Sequence, residues 1–525
     1  IEPLVSKQWF VNTKPLAEPA IKAVVDGRID IIPSRFTKVY LNWMENIRDW
    51  CISRQLWWGH RIPVWYCRDC GKLTVAIEEP KECVHCGSKK IEQDPDVLDT
   101  WFSSGLWTHS TLGWPDDTPD FRYFYPTTVM ETAYDILFFW VARMIMMGLE
   151  DTGEIPFCTV YLHGLIRDER GEKMSKIKGN VINPMVTVEQ YGADALRFAV
   201  ITGTSPGNDS KLTAAKLESG RNFANKLWNA TRFVLRSIEP GRTSWQIEKD
   251  LPTEGRWILS KINQVIASVN NLLIDFRFEE AQRQVYDFLW GDFCDWYIEL
   301  AKIRLRTGSA PSPIPVLVNV LETSLRLLHP FMPFITEELW QSLPDQKKGE
   351  SIMVAPYPEA DSKAINLESE QVMDSVIEIV RSIRNARAEH NVESSRWVEA
   401  QIYGGRLTKS ILPYSQAIES LARAKPVTIL ETRKEAPQGE NALVMVLKEA
   451  TVVIPIESMV DLAAEKRRLQ EEIEQAQAEI GRLETRLNDK MFLEKAPAPV
   501  IDKERQKLYN LATKLERLKE QIAKY

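Results

Sequence analysis

The spacing of apolar and polar positions divides this chain into blocks of different character. Residues 1–66 mix short strand-like and helix-like stretches and are rich in tryptophan. Residues 67–95 are polar and cysteine-paired. Across 96–210, apolar runs alternate with helical patterns. TVYLHGLI (159–166) reads as a buried strand, RDERGEKMSKIKGN as the loop that follows it, and YGADALRFAVI (191–201) as a helix. Such alternation predicts α/β architecture on a parallel sheet. From 211 to 345 the period becomes helical throughout. In RNFANKLWNATRFVLRSI, Phe223, Leu227, Thr231 and Val234 fall near one face, with Trp228 and Leu235 beside it. Similar stretches at 256–275, 279–305 and 315–342 predict a helical bundle. Residues 346–458 read as a smaller mixed α/β region, with strands near VEAQIYG and ALVMVL.

The tail, 459–525, has a different repeat. Leu462, Leu469, Ile473, Ile480, Leu483 and Leu487 step by sevens, fours and threes; Leu508, Leu511, Leu515, Leu518 and Ile522 alternate threes and fours. Two heptad helices around the KAPAPV break predict an antiparallel coiled-coil hairpin. The same pattern would serve a solvated dimerisation arm.

At 525 residues the chain exceeds a single core, so several domains are expected. No apolar run reaches the roughly 18 residues of a membrane span, and the nearest, ILFFWVARMIMMG, is interrupted by Arg143. The chain opens at Ile1 in what reads as ordered sequence, without a signal peptide, and is expected to be a piece of something longer. A net charge of −7 argues against a protein that coats nucleic acid indiscriminately, while leaving room for local basic patches. Four of the seven cysteines lie in two tight pairs, and Cys51, Cys158 and Cys294 are scattered. That distribution suits a reducing, cytoplasmic setting better than a disulfide scaffold.

The pairs are Cys67-x2-Cys70 and Cys83-x2-Cys86, each followed by a glycine, Gly71 or Gly87. Such knuckles turn backbone N–H groups toward sulfur, and four thiolates suit tetrahedral zinc. With all four positions filled by cysteine the site would be closed and structural. Two turns without metal are the plainer alternative. The string Lys173-Met174-Ser175-Lys176, flanked by Gly171 and Gly179, can neutralise a polyphosphate with two point charges on a mobile loop. By itself it is equally a solvated surface string. His163-Gly164, at the end of the preceding strand, is equally a histidine bonded to its surroundings.

Together these stretches resemble the class I aminoacyl-tRNA synthetases, specifically their valyl branch. ISRQLWWGHRIPVWYC (52–67), DVLDTWFSSGLW (96–107), YDILFFWVARM (134–144), HGLIRDERGEKMSK (163–176), RNFANKLWNATRF (221–233), FCDWYIELAK (293–302) and HPFMPFITEELW (329–340) all look like that family. The hairpin is similar to the tRNA-binding arm that separates the valyl branch from the isoleucyl one. The resemblance implies the second half of a Rossmann-like catalytic domain (1–66 and 96–210) interrupted by a zinc knob (67–95). A helical anticodon-binding domain (211–345), a small mixed region (346–458) and a coiled-coil arm (459–525) would follow. It implies ATP-dependent activation of valine with Mg2+ and transfer to tRNA(Val), by an enzyme that is monomeric at full length. Lys173 and Lys176 would contact the ATP phosphates along with Met174 and Ser175, and His163 and Gly164 would lie by the adenosine. Trp101, Ile136 and Trp140 would wall the valine side chain, with Asp135 at its ammonium group. Core packing is the alternative for the tryptophans, and an N-cap role for Asp135. Phe233 would stack on an anticodon base, although it also fits the apolar face of its helix.

The match is incomplete. None of the six histidines forms the family's first signature, His-x-Gly-His, and the editing domain is missing. Ile177 follows Lys176 where the family usually has serine. Ala133 replaces a glycine before Tyr-Asp, where a methyl group would crowd the pocket floor if the backbone there needed φ > 0. These departures motivate a second reading, a non-catalytic tRNA-binding module. An isoleucyl-type enzyme and a coiled-coil assembly protein account for less of the chain.

Overall fold

The computed structural model describes residues 6–239, 245–344, 350–432, 442–459, 462–489 and 496–522. It divides into two compact units. The first comprises 1–232, 265–287 and 322–359; the second comprises 233–264, 288–321 and 360–525.

The first unit is built on a three-stranded parallel sheet of β1 (Asp30–Ile32), β2 (Thr127–Ala133) and β3 (Phe157–His163), in the order β1-β3-β2. Val160 of β3 lies opposite Ile31 on one side and Met130 on the other. A parallel sheet must be covered on both faces. Val160 and Leu162 are fully buried in a core shared with Ala17, Ala20, Tyr40, Met44 and Ile145, which come from the helices Lys14–Val25, Arg35–Glu45 and Ala142–Thr152. Tyr161 points the other way, against the rings of Phe276 and Phe278 at 5.6 and 5.3 Å between centroids. The strand expected over 159–166 thus begins two residues earlier and breaks at Gly164. A short parallel pair follows it, β4 (Ile166–Arg167) with β5 (Ser210–Lys211). The helix expected over 191–201 runs Ala193–Ile201. Residues 64–93 form a separate antiparallel sheet of Leu73–Val75, Val64–Cys67 and Ile91–Gln93.

The predicted helices are present, with breaks that the period alone does not show. In Ala214–Ser237 the four face residues Phe223, Leu227, Thr231 and Val234 are buried, and Trp228 is 43% exposed. The stretch 315–342 is two helices, Ile314–Leu328 and Pro333–Gln341. Pro333 cannot continue a helix but suits the first turn of a new one. The buried Asp194 carboxylate caps that turn, accepting from the N–H groups of Phe334 (3.2 Å) and Ile335 (2.6 Å).

In the second unit the helix Leu367–Glu389 packs beside a mixed four-stranded sheet. Its strands are β6 (Val398–Tyr403), β7 (Ala424–Leu430), β8 (Ala442–Val446) and β9 (Thr451–Pro455), in the order β7-β6-β9-β8. β6 and β8 are the two strands expected from VEAQIYG and ALVMVL. The tail forms two long helices, Leu462–Asn488 and Ala498–Ile522. Their ion pairs fix an antiparallel arrangement: Glu472 meets Lys514 (3.9 Å), Glu479 meets Lys507 (2.6 Å), and Arg486 meets Glu504 (3.4 Å). Leu469, Ile473 and Leu518 are buried between them, with Leu515 and Ile522 packed alongside. Among the described residues no helix is long and apolar enough to cross a membrane.

Candidate functional site

His163 ends β3, and the next position admits no side chain. A Cβ at Gly164 would lie 1.8 Å from the backbone oxygen of Asn208 and 2.6 Å from the nitrogen of Asp209. The glycine therefore lets the 204–210 segment press against the end of the sheet. His163 Nε2 is 3.1 Å from Glu131 Oε1, and both residues line a cavity of about 360 Å³ with Gly164, Asn208, Ser210 and Phe278.

Beyond β4 the polar loop is tied down from within. The Asp168 carboxylate accepts from Asn180 Nδ2 (2.9 Å) and from the N–H of Glu172 (2.7 Å), and these bonds hold it below the usual carboxylate range. Asn180 Oδ1 in turn accepts from the N–H of Ser175 (2.9 Å), and Ser175 Oγ accepts from the N–H of Lys178 (3.2 Å). Gly171 (φ 85°) and Gly179 (φ 67°) supply the left-handed corners at the two ends. Met174 and Ser175 are half-buried, whereas Lys173 and Lys176 are exposed. A bridge between Arg167 and Lys173 folds the loop back over its own root. Ile177 stands 99% exposed.

The turn after β2 faces this loop. Ala133 has φ −71° and ψ 146°, an extended conformation open to any residue, so its methyl group costs no backbone strain. A 3₁₀ turn, Tyr134–Ile136, and a π-helical turn, Leu137–Val141, then lead into the Ala142–Thr152 helix. The Asp135 carboxylate lies 3.6 Å from Lys173 Nζ, with the two side chains 36% and 65% exposed. Ile136 is half-buried. Trp101 packs on Phe139 at 6.0 Å between centroids. Trp140 donates its Nε1–H to the Ser104 oxygen (3.0 Å) and packs on Trp107 (6.0 Å). The expected phosphate loop and the expected amino-acid turn are therefore brought together through Lys173 and Asp135. The indole edge of Trp140 is already engaged in packing.

The four cysteines converge. All four Sγ atoms lie within 4.8 Å of one another, with Cys67–Cys86 at 3.6 Å and Cys70–Cys83 at 3.7 Å. Four sulfurs at zinc–sulfur distances of about 2.3 Å would form a tetrahedron with edges of about 3.8 Å, so the donor set fits zinc. Gly71 and Gly87 repeat one geometry, each at φ 71° and each donating its N–H over 2.9 Å to the first cysteine of its pair. The backbone N–H of His85, 3.4 Å from Cys83 Sγ, leads the interactions that pull that thiol down to about 6. Cys67 is lowered in the same way by the N–H of Cys70. The two buried thiols, Cys67 and Cys83, are thus held toward the thiolate, whereas in Cys86 the bond from Ser88 is outweighed by those to the Cys70 and Cys67 sulfurs, which push it up to about 12.

Phe233 is half-buried on its helix, and Lys302 Nζ sits 5.2 Å from the centre of its ring. Several residues that organise the site were not singled out from the sequence: Glu131, Asp168, Asn180 and Asp209. Only Asn180 had an available signal, as an asparagine closing a glycine-flanked polar loop.

Three family models match the chain. Residues 2–213 match tRNA synthetases class I (I, L, M and V), 255–402 the anticodon-binding domain of tRNA ligase, and 461–525 the valyl tRNA synthetase tRNA binding arm. Over residues 2–213 the chain is thus similar to the class I tRNA synthetases. Within that family its similarity is to the valine–tRNA ligases. It is 60% identical to that of Dehalococcoides mccartyi (strain CBDB1) over 523 residues, 49% to that of Carboxydothermus hydrogenoformans over 526, and 47% to that of Thermotoga maritima over 518. Each alignment covers 99% of this chain and 59% of the relative, so the chain spans about three fifths of their length. Two solved structures share the fold. The agnB2 LeuRS of Agrobacterium radiobacter K84, in ternary complex with tRNA and LeuAMS, has TM-score 0.51 and 21% identity over 63% of this chain and 46% of that one. Mycobacterium tuberculosis methionyl-tRNA synthetase bound by methionyl-adenylate has TM-score 0.52 and 18% identity over 68% of each chain.

Proposed function

We propose that the chain works as part of a valine–tRNA ligase, supplying the phosphate loop, one wall of the amino-acid pocket and the tRNA-binding surfaces. The observation that carries this reading is the meeting of Lys173 with Asp135. An ion pair this exposed is weak, worth at most about 1 kcal/mol, so it is readily exchanged. With substrates bound, Lys173 would turn to the ATP phosphates beside Lys176, freeing Asp135 for the valine ammonium. Valine's carboxylate would attack the α-phosphorus and pyrophosphate would leave, giving valyl-adenylate; a hydroxyl at the 3′ end of tRNA(Val) would then attack the valyl carbonyl and AMP would leave. Charge accumulates on the phosphorus oxygens in the transition state, where the two lysines act. ATP would arrive with Mg2+, which supplies further charge neutralisation.

His163 and Gly164 would receive the adenosine, next to the 360 Å³ cavity. Trp101, Ile136 and Trp140 would limit the size of the side chain accepted. Zinc at Cys67, Cys70, Cys83 and Cys86 would hold the knob together without reacting. Phe233 would stack on an anticodon base, and the hairpin, as an antiparallel coiled coil, would lie along tRNA phosphates without reading sequence. The cytoplasm is the expected compartment, and a monomer is the expected state of the full-length enzyme.

The chain joined to the N-terminal residues that its relatives carry should catalyse valine-dependent ATP–pyrophosphate exchange. Lys176→Ala should lower kcat by about 100- to 1,000-fold, the cost of one lost transition-state donor. Exchange with isoleucine but not valine would sink the reading. The absence of a His-x-Gly-His motif favours one alternative for the chain by itself, a tRNA-binding module without activity.

A further inference from the structure

Asp209 lies in the segment that returns to β5, 42 residues from Arg167 in sequence. Its carboxylate gathers two donors from the site. Oδ1 accepts from the N–H of Leu165 at 2.8 Å, and Oδ2 accepts from Arg167 Nε. Leu165 follows His163-Gly164. Arg167 is the root of the lysine loop: its backbone is bridged to Lys173, and its Nη1 donates to the Gly171 oxygen at 3.3 Å. Tyr134 adjoins Asp135, which meets Lys173 at 3.6 Å. These contacts form a chain that runs Asp209, Arg167, Lys173 and Asp135.

The segment holding Asp209 is itself fixed. Arg35 Nη2 donates to Asn208 Oδ1 (2.9 Å) and to the Pro206 oxygen (3.1 Å). Phe36 stacks on Tyr134 at 5.7 Å between centroids. The absent side chain at Gly164 lets Asn208 and Asp209 approach.

We propose that Asp209 is a positioning residue that sets the root of the lysine loop against the turn carrying Asp135, so that both substrates' charged groups are held in one register. The inference rests on the reading of these two elements as phosphate loop and amino-acid turn. A carboxylate shared by two donors can hold them within a fraction of an ångström, and misplacement by about 1 Å can cost about 100-fold in rate.

The coupling is read first in the 525-residue chain, by hydrogen–deuterium exchange of Asp209→Asn. In Asp209→Asn the amides of Leu165, Glu172 and Ser175 are expected to exchange at least about 10-fold faster, with those of Val160 and Leu162 in β3 unchanged. Unchanged loop protection overturns the inference, and so does a loss spread evenly through β3, which would mean a merely structural role. In the assembly that carries the relatives' N-terminal residues, Asp209→Asn should lower kcat for pyrophosphate exchange on the order of 100-fold with little change in KM for valine. Asp209→Glu should recover part of the loss, and an unchanged kcat again overturns the inference. If the unsubstituted assembly shows no exchange while the loop amides still respond to Asp209→Asn, the ligase reading fails and the positioning role stands.

Discussion

At the scale of single residues, the site depends on side chains that are missing as much as on those present. Gly164 is the clearest case, because the atoms a Cβ would strike are backbone and cannot swing aside. Gly164→Ala should therefore destabilise by about 3 kcal/mol or more, the upper range for forced overpacking. Gly291→Ala is the control, since nothing lies within 4 Å of a Cβ there, and it should shift stability by less than about 1 kcal/mol. Urea midpoints of the two variants check the contrast. The two departures from the family pattern separate at this scale. Ala133 is accommodated by an extended backbone, and Ile177 projects into solvent without crowding the loop. The sequence marked both positions as unusual. It could not assign the consequence, because φ and exposure are set by neighbours distant in the chain.

At the scale of elements, local pattern carried most of the fold. The buried face of Ala214–Ser237 is the one its spacing specifies, and the tail helices pair through positions of the predicted heptads. Periodicity failed where a run had to break, as between Leu328 and Pro333, where Asp194 caps a new helix from far along the chain. The cysteine knob was legible because its two halves repeat the same Cys-x2-Cys-Gly turn. Its sheet is small, with strands of three or four residues, so the metal should supply much of its order. Structural zinc sites contribute about 10 kcal/mol or more of apparent binding free energy. Cys83→Ser should abolish the zinc that elemental analysis finds in the parent. It should also open residues 64–93 to protease while leaving the parallel sheet protected. Zinc content equal to the parent's would exclude this four-cysteine site.

At the scale of the whole molecule, charge and length decide what the chain can hold. A protein of net charge −7 binds tRNA only through local basic surfaces. Removing 462–522 should weaken tRNA(Val) binding about 10-fold and reduce the salt dependence by two or three phosphate contacts' worth of slope, about 0.7–0.9 each. Filter binding at several salt concentrations measures both, and an unchanged slope would remove the hairpin from the interface. The sequence by itself determined the resemblance, the helical faces, the paired cysteines and the lysine loop. Each of these is written in residues close together, where spacing reflects geometry directly. Only the tertiary structure decided which of them meet. Lys173 reaches Asp135, Gly164 admits Asn208, and Asp209 gathers Leu165 and Arg167. Those contacts join parts of the chain separated by 38 to 44 residues. No local period records them, because the folding of the sheet sets their distances.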